Sequence, residues 1–441
     1  DAMPEKILEP NIEILNAAYE QVREEDDLSG IEVSCPDGEH EEEQVLVNGS
    51  DGIAYGAFDE GCRFISGYPM TPWTEVFTIM SKNLPKVGGI SEQVEDEIAA
   101  AALAIGASHT GVKAMSGSSG GGFALMSEPL GLAEISETPI VLLEAARAGP
   151  STGMPTKPEQ ADLEHVLYTS QGDSNRVVFA PADPAEAYDH ARKAFQIAYQ
   201  YQIPSIILYD QKLSGEYRNV PASHFDREPN PDIGATLTEE ELAEAPHEPS
   251  GKYKRFQHAP EDGVSPRSVP GQKGGRFLAS GNEHNEAGHI SEDPDNRVAQ
   301  VNRRSRKLEN IREDLNNDGL NVHYGPEDAD YGILAFGSMV GTVEEAVGRL
   351  NDAGESVKAL SVGELAPYPE TEVREFIESV DQVMVVEMNS TAQFRGLTQK
   401  ELGEYGPKMA SLLKYNGNPF EPAEVVEGFH NTVNGDEVTE H

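Results

Sequence analysis

From residue 45 onward, short apolar runs alternate with segments of helical periodicity, and no other feature constrains the fold as tightly. Residues 45–47, 63–68, 112–115, 140–143, 176–179 and 206–209 read as strands. Between them, residues 53–60, 98–107, 124–135 and 186–201 read as helices, with another opening at Thr71-Pro72. Strand and helix in turn require a parallel sheet covered on both faces, hence a doubly wound α/β domain over residues 45–214. Ligands of such sheets gather at the carboxyl ends of strands, so function belongs to the loops that follow strands. Strands at 331–336, 357–360 and 382–387 and helices at 343–351, 372–379 and 394–403 repeat the pattern in a smaller α/β domain, residues 327–425.

The remaining segments lack this pattern. Residues 1–22 carry Ile12, Leu15, Ala18 and Tyr19 at helical spacing behind Asn11, a cap following Pro10; this is one helix without a domain. Residues 23–44 are rich in acids, with Gly30, Pro36 and Gly38 interspersed, and read as an exposed linker. Residues 215–326 are poor in apolar runs and rich in Pro, Gly, His and Arg, as expected of a long structured excursion. The tail, 426–441, is polar and expected to fray.

Charge narrows the function classes. With 77 acidic against 33 basic residues in 441, the formal net charge is −44, which repels nucleic-acid backbones and excludes general nucleic-acid binding. Acids spread along the whole chain match the composition of a halophilic archaeon's protein, soluble where salt screens self-repulsion. Cys35 and Cys62 are the only cysteines, with no Cys-x-x-Cys pair for zinc or an iron–sulfur cluster, so a reducing cytoplasm is expected. No run approaches the roughly 18 apolar residues of a membrane span. The start lacks the features of a signal peptide and an initiator Met, so the chain reads as processed or trimmed.

Four loops carry chemistry. Gly67-Tyr68-Pro69-Met70-Thr71-Pro72 places Thr71 at an N-cap and Pro72 at the first helical position, suiting a carboxylate or phosphate, although spacing alone favours a plain capped turn. Ser91-Glu92-Gln93-Val94-Glu95-Asp96-Glu97 sets acids at the start of an Ala-rich helix, usually a solvated arrangement. The small residues at 99–102 and 104 imply close packing that could turn Glu97 into an interface. Met115-Ser116-Gly117-Ser118-Ser119-Gly120-Gly121-Gly122 permits close backbone approach, but it is neither a Walker A loop nor a dinucleotide fingerprint, and a plain Gly-rich connection is an equal reading. Arg147, beyond a strand and followed by Gly149-Pro150-Ser151-Thr152-Gly153-Met154-Pro155-Thr156-Lys157, is either an oxoacid clamp or a structural salt bridge. Asp314-x-Asn316-x-Asp318-Gly319 begins like a calcium loop but has Gly325 where a bidentate acid is required, so it reads as a turn. Gly337-Ser338-Met339-Val340-Gly341 reads as a helix-start turn.

Taken in order, the Tyr-Pro-Met-Thr-Pro turn, the Glu-Asp-Glu-Ile-Ala-Ala helix, the Ser-Gly-Gly-Gly run, the Arg-x-Gly-Pro-Ser-Thr-Gly-x-Pro-Thr loop and the two α/β blocks resemble the alpha subunits of 2-oxoacid:ferredoxin oxidoreductases over residues 45–425. Residues 1–22 are similar to the last helix of the gamma domain that many such subunits carry. The resemblance implies a thiamine-diphosphate pyrimidine-binding domain followed by a transketolase carboxy-terminal-like domain. It also implies a beta subunit that supplies the diphosphate and Mg2+ site and a 4Fe-4S cluster. Glu97 then corresponds to the acid that hydrogen-bonds the aminopyrimidine and favours the imino form. Tyr68, Pro69, Ser118 and Gly120 complete the cofactor-facing set. Thr71 and Arg147 correspond to groups holding the 2-oxoacid, and Thr152, Thr156 and Lys157 to its distal part. Electrons pass singly to ferredoxin, and coenzyme A takes the acyl group. Lys157, with Ser265-Pro266-Arg267 and Glu283-His284, favours 2-oxoglutarate over pyruvate. Two departures from the resemblance stand out: Ala145-Ala146-Arg147-Ala148 replaces the commoner Gln-Arg-Pro, and Ala392 stands where Gly usually precedes Gln393. The alternative is a non-catalytic α/β scaffold that only assembles a partner's site; a nucleotide-binding dehydrogenase fits poorly because the glycine spacing is wrong.

A mouth at Thr71, Arg147 and Lys157 must attract an anion inside a strongly negative molecule, so activity should rise with salt that screens the global field. An optimum below about 0.1 M salt in a salt titration of turnover would contradict this.

Overall fold

A computed structural model describes residues 5–24, 42–258, 260–316 and 318–434. It divides into two bodies, residues 1–44 and 45–441. The first contains the helix Glu5–Glu24. Asn11 lies inside that helix instead of capping it, and its side chain donates to the Ile7 carbonyl. Cys35 and residues 25–41 of the expected linker lie outside the described residues.

In the second body the apolar runs become strands: β1 (Gln44–Asn48), β2 (Phe64–Gly67), β3 (Ile90–Gln93), β4 (Ala114–Ser118), β5 (Ile140–Ala146), β6 (Val177–Phe179), β7 (Pro204–Asp210), β8 (Tyr217–Pro221), β9 (Val322–Tyr324), β10 (Tyr331–Ala335), β11 (Val357–Ser361), β12 (Glu364–Ala366), β13 (Gln382–Glu387) and β14 (Met409–Leu413). A seven-stranded sheet runs in the order β12-β6-β7-β5-β4-β2-β3, and a five-stranded sheet in the order β14-β13-β10-β11-β9. Pairing is parallel except for β12 on β6 and β9 on β11. The strands β5 and β7 are buried along their whole length, which explains their apolar runs, and β4 is equally buried but built mostly of small residues, Ala114, Ser116, Gly117 and Ser118.

The structure departs from the sequence reading in four places. The strand β1 leaves the main series and pairs with β8. The edge strand β3 has a neighbour on one side only and carries Ser91, Glu92 and Gln93, so it lacks an apolar signal. The second α/β block is not separate: its strand β12 joins the first sheet, and Leu334, Phe336 and Val385 share one core with Ile206, Leu208 and Phe123. The helix Pro422–Asn434 corrects the expected frayed tail over residues 426–434, since Val425 and Phe429 anchor it in the core, and residues 435–441 lie outside the described residues.

The excursion contains the 22-residue helix Pro294–Leu315, which no apolar stripe announced. Its buried face is polar over its first part, Gln300, Arg303, Arg304 and Lys307, and apolar only toward its end, at Ile311 and Leu315. Glu137 accepts from Arg303 and, at 2.6 Å, from Lys307, all three being buried. Burial alone would push the Glu137 carboxyl up, but Arg303 and Lys307 more than offset it and hold it well below the usual range. Arg255 donates to the Ser265 carbonyl and Arg267 to the Ser108 carbonyl. Glu283 pairs with Arg304 and Arg297, and His284 is buried against Phe256. Glu137 precedes β5 and Ser108 ends the helix before β4, so these braces grip the amino ends of the strands. Arg267 and Glu283 are thus spent on holding the excursion and contribute nothing to a mouth at the opposite end. Asp314 and Asp318 are likewise taken by Tyr201 and Lys193.

Among the described residues nine Lys and Arg side chains and nine Asp and Glu side chains are buried, so burial leaves the net negative charge on the surface. No described helix is long and apolar enough to cross a membrane.

Candidate active site

Connections reverse direction in the seven-stranded sheet at β2: the chain moves from β2 outward to β3, returns to β4 on the other flank, and continues to β5. The crevice beyond the carboxyl ends of β2 and β4 is therefore the place for a ligand. Its floor is set by Trp73, fully buried, whose ring occupies the space a Cβ would need at Gly67 (2.1 Å) and at Gly117 (2.8 Å). The Trp73 indole donates to the Tyr68 carbonyl at 2.8 Å and so pins the 68–72 turn. With that turn pinned, the helix begins only at Thr74. Thr71 is therefore not an N-cap, nor Pro72 a first helical residue. Thr71 is exposed, its hydroxyl makes no hydrogen bond among the described residues, and its carbonyl accepts from Arg147 Nη1 at 2.7 Å.

Across the crevice, Glu97 opens the helix Glu97–His109, capped by Asp96 through Ala99 N–H. The Ser66 hydroxyl holds this helix against the sheet by donating to the Ala100 carbonyl at 2.6 Å. Glu97 is only 3% exposed; its Oε1 accepts from Ser118 Oγ at 2.8 Å, and its Oε2 has no protein partner among the described residues. A Cβ on Gly122 would sit 2.2 Å from Glu97 Oε1 and 2.1 Å from Ser118 Oγ. Close approach in the glycine run therefore serves the Glu97 carboxyl. Ser118 also lies 3.7 Å from Met70 Sδ, joining the two sides. Gly120, at φ 48°, gives its N–H to Glu144 Oε1 at 2.6 Å.

Arg147 follows β5, is 7% exposed, and enters no ion pair among the described residues; its Nε has no partner. The salt-bridge alternative therefore fails, and the guanidinium keeps unspent donors. Beyond it the chain folds back, with an Ala148–Met154 bridge and Thr152 exposed at the tip. Lys157 turns away to Asn418 Oδ1 at 2.9 Å. With Thr156, Lys212 and Arg218 it lines a separate cavity of about 630 Å³ beside the second sheet. The fold thus gathers Tyr68, Pro69, Thr71, Glu97, Ser118, Gly120 and Arg147, and sets Thr152, Thr156 and Lys157 apart.

Residues 55–303 match the model of the thiamine diphosphate-binding domain of pyruvate flavodoxin/ferredoxin oxidoreductases, and residues 329–425 match core domain II of pyruvate:ferredoxin oxidoreductase. The 2-oxoglutarate synthase subunit KorA of Methanothermobacter marburgensis is 32% identical over 386 residues, 87% of this chain and 98% of that one. The chain belongs to the 2-oxoacid:ferredoxin oxidoreductase family. Subunit alpha of 2-oxoacid:ferredoxin oxidoreductase 2 from Aeropyrum pernix is 32% identical over 96% of this chain, which spans 66% of that relative's length. A 2-oxoglutarate:ferredoxin oxidoreductase structure from Magnetococcus marinus, with 2-oxoglutarate, coenzyme A and succinyl-CoA bound, superposes with a TM-score of 0.84 at 32% identity, covering 98% of this chain and 72% of that one.

Sequence reasoning missed how this 2-oxoacid:ferredoxin oxidoreductase chain holds its Arg147 loop. Gln160 gives its backbone N–H to the Met388 carbonyl (2.6 Å) and its side-chain amide to the Phe336 carbonyl (2.9 Å), while Gln393 donates to the Ala161 carbonyl (2.8 Å). The second sheet thus serves as the loop's anchor. Ala392, at the head of that anchor, has φ 55°, a left-handed conformation that suits glycine. Ala392→Gly should therefore raise stability by about 0.5–1 kcal/mol, measured as a higher denaturant midpoint.

Proposed function

We propose that this chain is the alpha-type subunit of a 2-oxoacid:ferredoxin oxidoreductase, forming its active site with a beta-type partner. The reaction is oxidative decarboxylation of a 2-oxoacid to acyl-coenzyme A and CO2 with reduction of ferredoxin. The observation that carries this reading is Glu97: a carboxyl buried at the switch point of the sheet, one oxygen held by Ser118 and the other unpartnered. A buried carboxylate with a free oxygen suits an aminopyrimidine nitrogen, and unpartnered Ser119 Oγ and Arg147 Nε nearby leave further polar groups for a ligand. Thiamine diphosphate, held against Glu97, would supply the nucleophilic carbon for the ketone. Glu97 holds the proton at the pyrimidine nitrogen, Ser118 orients Glu97, and Tyr68, Pro69 and Gly120 shape the wall.

Thr71 and Arg147 bind the oxoacid carboxylate and ketone, the guanidinium through its remaining N–H groups. The chain has no Gly-Asp-Gly run with the following Asn and no cluster cysteines, so Mg2+ and the 4Fe-4S centre are assigned to the partner. Exposed Ile90, Ile98, Leu103 and Leu125 on the elements framing Glu97 offer that partner an apolar surface. The names of the KorA relative and the Magnetococcus structure favour 2-oxoglutarate before pyruvate, while Thr152, Thr156 and Lys157, set apart from Arg147, are not assigned to the substrate. Arg147→Ala should lower kcat/KM for the 2-oxoacid by about 100-fold, and Arg147→Lys should restore only part, because a point charge lacks the bidentate fork. An unchanged kcat/KM in steady-state assays would remove Arg147 from the site.

A further inference from the structure

Glu144 and Asp162 have no part in the chemistry above, yet they lie beside it. Glu144, fully buried within β5, accepts from Gly120 N–H through Oε1, and among the described residues no donor reaches its Oε2. The Asp162 carboxyl, just before the helix Leu163–Tyr168, reaches the same turn, its Oδ2 lying 3.9 Å from where a Cβ on Gly120 would stand, and is the hydrogen-bonding neighbour of Glu144. Two ionised carboxylates have no donor to offer each other. One proton between them supplies the missing hydrogen bond and removes one of two buried charges. Arg147 from the end of β5, Tyr209 from the neighbouring strand β7, His165 from the helix and Glu159 from the loop also face the pair. Arg147 is the only fixed cation among these, enough to match one negative charge and not two. Burial pushes both carboxyls above their ordinary range, and for Glu144 the neighbouring Asp162 adds to the shift.

The pair also occupies a junction. Gly120 begins the turn whose Gly122 lies against Glu97, and Arg147 follows Glu144 by one turn of loop and strand. We propose that Glu144 and Asp162 share a single proton and act as a positioning pair, fixing the Gly120–Gly122 turn behind Glu97. The catalytic consequence rests on the proposed function; the proton and the held turn do not.

Two measurements on the full chain test the pair directly. The native pair keeps a proton that the unfolded chain has released above the usual carboxyl range, so stability falls as pH rises until the folded pair lets the proton go. Glu144→Gln puts an amide donor in place of that proton. Above the ordinary carboxyl range and below the pH at which the folded pair lets its proton go, its denaturant midpoint should fall with a slope smaller by one bound proton; equal slopes overturn proton sharing. Hydrogen exchange in residues 119–123 should accelerate about tenfold or more in Glu144→Ala and stay near the wild-type rate in Glu144→Gln. Equal exchange in wild type and both variants, or equal acceleration in both variants, overturns the positioning role. In the complex with its partner, turnover should follow the same order, Glu144→Gln within about threefold of wild type and Glu144→Ala about tenfold or more below it. Altered exchange with unaltered turnover would fault the link to catalysis while leaving the shared proton standing.

Discussion

Glu97→Gln is expected to lower 2-oxoacid turnover of the assembled enzyme by about 100-fold or more, the scale of a lost acid–base group. The substitution keeps the shape of the site. A glutamine carbonyl still accepts from Ser118 and still fits against Gly122, where any side chain would collide, so the melting temperature should change little. What is lost is the charge on an oxygen that the protein leaves unpartnered. Turnover measured alongside thermal melting separates the two effects, and retained turnover in a well-folded variant would exclude Glu97 from the chemistry.

The second large effect concerns stability. Arg303→Leu should destabilise the chain by about 3–5 kcal/mol, because Glu137 would remain buried with its main counter-charge removed. Lys307, whose ammonium burial pushes down to about 8, compensates only in part. Adding Glu137→Gln to the same chain should recover some of the loss, since an amide needs no cation. The pH dependence follows from the depressed Glu137 carboxyl. Its contribution is complete above the ordinary carboxyl range and disappears as pH falls through its folded value, so wild type but not Arg303→Leu should gain this increment on leaving acid. Denaturant midpoints across pH check both statements.

These two effects mark where sequence reading succeeds and where it stops. The parallel sheet was legible because strands buried on both faces, such as Ile140–Ala146, cannot avoid an apolar run. The helix Pro294–Leu315 was not, because Arg303 and Lys307, whose burial depends on a distant Glu137, take up the middle of its buried face and leave only Ile311 and Leu315 as an apolar signal. Glu97 could be singled out as an acid leading an alanine run, but its isolation from water follows from Ser118 and Gly122 folding over it. Arg147 was legible as a cation after a strand, while its freedom from ion pairing was not. Thr71 was misread as a cap because Trp73, with its ring beneath two strand-end glycines, delays the helix. Lys157 lies close to Arg147 in sequence, yet the fold-back at Ala148–Met154 sends it toward Asn418. Glu144 drew no notice, since one acid within an apolar run has no periodic signature.

The most direct test is 2-oxoacid- and coenzyme A-dependent reduction of ferredoxin or a viologen dye by this chain coexpressed with a beta-type partner, anaerobically and in high salt. The expected result is turnover that needs both chains and thiamine diphosphate, is fastest with 2-oxoglutarate, and collapses with Glu97→Gln. Full turnover by the partner alone, or by the pair carrying Glu97→Gln, would contradict a site built from this chain.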